Sequence, residues 1–101
     1  MTTGSRGLDI VLRPKGESVR REIAGETILV PIRGRTADMQ SIYALNSTAA
    51  FIWDRIDGRR TVGELLEGTL STFDVERGLA LEHLESFLAH AQANGLVEVV
   101  R

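Results

Sequence analysis

SVRREIAGETILVPI, residues 18–32, decides the fold. Ser18 to Ile23 and Glu26 to Ile32 are two β-compatible runs separated only by Ala24-Gly25. A Gly-containing two-residue link between such runs reads as a hairpin turn, although Ala is not the best choice at its first position. In Thr27-Ile28-Leu29-Val30 the β-branched and aliphatic residues are consecutive rather than alternating. That suits a strand buried on both sides, or one at the centre of a sheet.

Working outward, Gly34 to Met39 is polar and breaks the pattern. Gln40 to Leu45 resumes it, with Ile42 and Ala44 on one face and Tyr43 and Leu45 on the other, so a third antiparallel strand is expected there. On the other side of the hairpin, residues 1–17 read as a flexible tail. Asp9 to Leu12 can form a short strand within it, ended by Pro14 and Gly16.

Helices follow the third strand. Asn46 has N-cap chemistry, and Ala49, Ala50, Ile52, Trp53 and Ile56 recur at helical spacing, predicting a first helix over Ser47 to Ile56. Asp57-Gly58 ends it. Thr61-Val62-Gly63-Glu64 fits a capping box, opening a second helix that runs to about Leu70. Gly63 and Gly68 each weaken that helix by up to about 1 kcal/mol relative to Ala. Asp74 is the expected N-cap of a third helix, with Leu81, Leu84, Phe87, Leu88 and Ala91 as its core stripe. Asn94-Gly95 ends it, and Leu96 to Val100 can form a short final strand. The expected fold is α+β, a three-stranded antiparallel sheet with three helices on one face.

Composition excludes several chemistries. The 101 residues contain no cysteine, which rules out disulfides, thiolate metal sites and a cysteine nucleophile. The longest apolar runs, such as Thr48 to Trp53, are far too short to cross a membrane, and Met1 to Leu8 has no apolar signal core. A cytoplasmic location is the expectation. Residues 1–36 carry seven basic against four acidic side chains, and residues 37–101 five against ten. The first part can attract an acidic ligand and the second repels nucleic acid, although a solvated face explains either. No P-loop, dinucleotide fingerprint or nucleophile elbow is present.

Leu45-Asn46-Ser47-Thr48-Ala49-Ala50-Phe51-Ile52-Trp53, then Asp57-Gly58-Arg59-Arg60-Thr61-Val62 and Glu64-Leu65, resembles the signature of the PqqD family. Phe73-Asp74-Val75, Phe87-Leu88 and Gly95-Leu96-Val97 fall where that family has its aromatic, its Phe-Leu pair and its closing Gly-Leu. The resemblance covers roughly residues 18–100. It implies a winged-helix-like domain that acts as a peptide chaperone in pyrroloquinoline quinone biosynthesis and related pathways to ribosomally made, modified peptides (RiPPs). By the same resemblance, the leader of a precursor peptide adds as a strand beside strand three and against helix three. A tailoring enzyme such as a radical SAM protein then recognises the complex. The chain departs from the family in carrying His83-Leu84 where the family often has Asp-Val, so a role of that Asp does not carry over.

The expected peptide-binding residues are Ser41, Ile42, Tyr43, Ala44 and Leu45 on strand three, with Leu79, His83, Ser86, Phe87 and His90 on helix three. Other features have plain structural explanations. Trp53 reads as a core anchor. Tyr43 serves peptide contact and cross-strand packing equally well. Thr61 and Glu64 read as a cap, and Asp54 and Asp57 as solvated. His83 and His90 lie two turns apart without a third ligand, which is solvated-histidine rather than metal spacing. No catalytic residue, metal or cofactor is expected. Two other functions remain open: a winged-helix nucleic-acid-binding regulator, disfavoured by Glu76, Glu82 and Glu85 on helix three, and a self-associating interaction domain, monomer or weak homodimer.

Overall fold

A computed structural model describes residues 7–34, 36–37 and 42–100. Its strands and helices, in chain order, are β1 (Leu12–Pro14), β2 (Glu17–Ile23), β3 (Glu26–Arg33), β4 (Thr36–Ala37), β5 (Tyr43–Leu45), α1 (Ser47–Arg55), α2 (Val62–Thr72), α3 (Arg77–Ala93) and β6 (Val97–Val99).

The hairpin forms as expected, with Ser18 opposite Pro31, Val19 opposite Val30 and Ile23 opposite Glu26. Ala24 and Gly25 both take positive φ, 53° and 83°, the conformation a two-residue turn needs to match the strand twist. β3 is the central strand, flanked by β2 on one side and by β4 and β5 on the other. This explains its consecutive apolar run, in which Leu29, Val30 and Pro31 are all buried.

Of the expected third strand Gln40–Leu45, β5 covers Tyr43–Leu45 and Ile42 precedes it, while Gln40 and Ser41 lie outside the described residues. The polar stretch after Gly34 also contributes a strand: Thr36 and Ala37 pair with Arg33 and Ile32. Gly34, at φ 65°, makes the turn that allows this.

Capping chemistry sets the helix starts. Asn46 Oδ1 accepts from the Ala49 N–H at 2.8 Å. At α2 the box closes in both directions, Thr61 N–H to Glu64 Oε1 at 2.8 Å and Glu64 N–H to Thr61 Oγ1 at 3.1 Å. The cap of α3 is Glu76, not Asp74. Its carboxylate accepts from the N–H groups of Gly78 at 2.8 Å and Leu79 at 3.0 Å, and these donors hold its pKa below the usual glutamate value. A Cβ on residue 78 would sit 3.1 Å from that carboxylate, so Gly78 leaves room for the longer side chain to fold back.

Residues 8–14 do not behave as the expected tail. Leu12 is only 4% exposed and belongs to the core, and β1 pairs antiparallel with β6 in a separate two-stranded sheet. The segment also offers carbonyls to its neighbours: Leu8 O to the Gly63 N–H at 2.9 Å, Ile10 O to Val62 at 2.8 Å, and Leu12 O to Gly58 at 3.0 Å. The bonds to Val62 and Gly63 satisfy donors that the start of α2 otherwise leaves free. The core itself joins Leu12, Leu29, Ile52, Ile56, Leu65, Leu66, Leu84, Leu88, Leu96 and Val97, with Trp53 packed half-buried against it.

Candidate functional site

The direction of each backbone group on the sheet follows from the turn. In a two-residue hairpin the closing pair, Ile23 and Glu26, exchanges both hydrogen bonds, and the pattern alternates from there. Glu26, Ile28, Val30 and Ile32 therefore direct their amides toward β2. Thr27, Leu29, Pro31 and Arg33 direct theirs toward the third strand. Pro31 has no N–H to give on that side. Among the described residues Ile32 pairs with Ala37 and Leu29 with Tyr43, and Pro31 lies between these two pairs.

β5 meets β3 with Leu45 opposite Thr27, Ala44 opposite Ile28 and Tyr43 opposite Leu29. By the same alternation Tyr43 and Leu45 bond to β3, while the N–H and C=O of Ala44 point away from it. Among the described residues no strand pairs with β5 on that outer side. An unpaired edge of this kind is a template for an extended chain.

Side chains alternate across the same strand. Tyr43 and Leu45 pack against the core, and Ala44 is exposed. α3 presents Phe87 and His90 to β5, and His83 and Ser86 to the start of α1. A cavity of about 240 Å³ opens between the two elements, lined by Ile42, Tyr43, Ala44, Leu45, Phe87, His90, Ala91 and Leu96. A second, of about 360 Å³, continues it between α3 and the start of α1, lined by Asn46, Thr48, Ala49, Ile52, His83, Ser86, Phe87 and His90. Phe87 and His90 line both. Tyr43 and His90 meet edge to face, ring centroids 6.2 Å apart at 81°, across the cleft. No carboxylate lines either cavity.

Of the expected peptide-binding residues, Ile42, Tyr43, Ala44, Leu45, His83, Ser86, Phe87 and His90 are brought together on this cleft. Leu79 is not: it is 44% exposed in the first turn of α3 and lines neither cavity. It lies a full turn before His83, beyond the reach of β5. Ser41 lies outside the described residues. Asn46, Thr48 and Leu96 were missed. Asn46 looks complete as a cap and Leu96 as a strand residue, and only the packing of three distant segments brings them to the cleft.

Charges elsewhere have structural partners. Asp54 is not simply solvated: its carboxylate meets Arg20 Nε at 2.9 Å, tying β2 to α1. That approach lacks hydrogen-bond alignment, so the contact is an ion pair. Asp57 Oδ1 accepts the N–H groups of Arg60 and Arg59, each at 2.9 Å, which lowers its pKa. Arg77 pairs with Glu67 at 2.8 Å. Among the described residues, no group of three or more His, Asp or Glu is placed to hold a metal ion, and no helix is long and apolar enough to cross a membrane.

The geometry is that of a small α+β domain in which, among the described residues, the outer edge of β5 is open beside a cleft that no carboxylate lines. Residues 26–97 match the family described as coenzyme PQQ synthesis protein D (PqqD), and the chain belongs to that family. Among solved structures it is similar to TbiB1 in complex with the TbiA(beta) leader peptide, with a TM-score of 0.66 and 17% identity. The match covers 85% of this chain and 94% of that one, and shows a shared fold. No match is found among curated proteins.

Proposed function

We propose that the chain is a non-catalytic recognition domain. It captures the leader of a ribosomally made precursor peptide as an added strand on β5 and presents it to a modifying enzyme. The observation that carries this reading is the outward-directed N–H and C=O of Ala44 at an open edge, beside a cleft sized for side chains. Family membership and the likeness to a protein solved with a leader peptide support it.

Backbone pairing along the edge accepts many sequences, and the cavities against α3 select among them. The leader loses entropy on ordering, so affinity is moderate and exchange with the enzyme is fast. The enzyme is a tailoring catalyst such as a radical SAM protein, in the cytoplasm. The absence of cysteine from this chain assigns any cluster chemistry to that partner.

The test is an amide-resolved titration with the precursor peptide. The amides of Ile42 to Leu45 and of His83 to His90 are expected to shift together. A peptide that binds while leaving these amides unmoved removes the proposal.

A further inference from the structure

The two cavities differ in chemistry. The one beside β5 is walled mainly by Ile42, Leu45, Phe87, Ala91 and Leu96. The one at the α1 end has an apolar floor of Ala49, Ile52 and Phe87 but adds hydrogen-bonding side chains that the first lacks: Asn46 and Thr48 at the start of α1, His83 and Ser86 on α3, with His90 shared by both. Asn46 has its Oδ1 engaged by the Ala49 N–H at 2.8 Å, which leaves its amide NH₂ as the free end. The hydroxyls and imidazoles can donate as well as accept, the Asn46 NH₂ only donates, and no negative group lines the cavity to oppose an anion. A cleft rich in donors and empty of carboxylates is matched by a side chain that only accepts.

We infer that this second cavity is a subsite for an aspartate or glutamate side chain of the bound peptide. The inference rests on the strand-addition reading above and extends it to the leader's sequence. Every strand pair among the described residues is antiparallel, and an added strand continuing that arrangement runs from the Asn46 end of β5 toward Ile42. Its helix-facing side chains recur every second residue, roughly 6.8 Å apart. The acidic residue therefore precedes, by two or four positions, the aliphatic or aromatic residue that fills the cavity beside Tyr43 and Leu96. The recognised leader has an acidic-then-apolar order on one face.

The probe is a random twelve-residue peptide library displayed against the full chain. Enriched peptides are expected to carry Asp or Glu two or four positions before Leu, Ile, Val or Phe. The tightest peptide and its Asp→Asn or Glu→Gln counterpart are then titrated against the native chain and against Ser86→Glu. Ser86 is exposed on α3 and Glu is a good helix former, so folding is retained and is checked by the melting curve. The native chain should prefer the acidic peptide by about tenfold, as expected for charge-assisted hydrogen bonds. Ser86→Glu should abolish or reverse that preference, a crossover that steric change alone does not produce.

Enriched peptides that shift the Ala44 amide but show no acidic preference, or that favour Lys or Arg, overturn the subsite and leave strand capture standing. Enriched peptides that bind without shifting that amide, or no enrichment at all, overturn strand capture itself.

Discussion

The two flanks of α3 are built alike and finished differently. On one, Glu85, Leu88, Ala89 and Gln92 face Ile10, Leu12, Val62 and Val99 around a cavity of about 230 Å³. On the other, His83, Ser86, Phe87 and His90 face β5 and the start of α1. The first flank is closed by the chain's own extended segment. Residues 8–14 run along it, pair with β6 and supply carbonyls to the donors at Gly58, Val62 and Gly63. The second has the same ingredients, an apolar helix face and a strand, but among the described residues no strand pairs with the outer edge of β5. The closed flank shows what a complete one contains. Among the described residues the open flank has no such extended segment.

The contrast can be broken most directly at Leu12. Leu12→Ala removes the buried anchor of the closing segment and should cost about 3 kcal/mol in denaturant unfolding, typical of a large-to-small change in a core. Peptide affinity of the folded fraction should hold. A loss below about 1 kcal/mol would mean that the segment decorates the flank rather than closing it.

Ala44→Pro addresses the open side. The substitution removes the outward N–H while leaving the bonds of Tyr43 and Leu45 to β3 in place, and edge strands tolerate proline. Peptide affinity should fall by about tenfold, near the net worth of one or two hydrogen bonds, with little change in melting temperature. Unchanged affinity by calorimetry would show that the edge is not used.

The smallest effect separates two glycines of α2. A Cβ at Gly68 would rest 3.7 Å from the Phe51 ring, an ordinary contact. Gly68→Ala should therefore stabilise by up to about 1 kcal/mol through helix propensity. At Gly63 the same atom would stand 3.3 Å from the Leu8 carbonyl, against backbone of the closing segment. Gly63→Ala should gain less or lose, and equal melting temperatures for the two variants would show that the segment yields freely.

Local chemistry was legible in the sequence. The Ala24-Gly25 turn, the Asn46 cap and the Thr61–Glu64 box each lie within four residues and form as expected. Two local readings missed. Asp74 is the commoner capping type, yet Glu76 caps because Gly78 makes room for its carboxylate. β4 hid in a polar stretch because its two residues need only the turn at Gly34. The larger misses were non-local. Short strands are expected at Asp9 to Leu12 and Leu96 to Val100, but nothing local in either run says that β1 pairs with Val97–Val99, more than eighty residues away. The cleft was half legible. Strand alternation and helix period placed Tyr43, Leu45, Phe87 and His90 on facing surfaces. The contributions of Asn46, Thr48 and Leu96 required knowing how α1 and β6 meet α3, and Leu79 was lost because helix period does not say where a neighbouring strand stops.

The β1–β6 pairing also has a consequence for protein engineering. Leu12 lies directly beside Val99, so the backbone enters and leaves this small sheet at neighbouring points, and neither residue lines the cleft. A host protein grafted at these connections therefore meets the unit at one place, and a graft that keeps residues 8–14 keeps the segment that closes the other flank of α3.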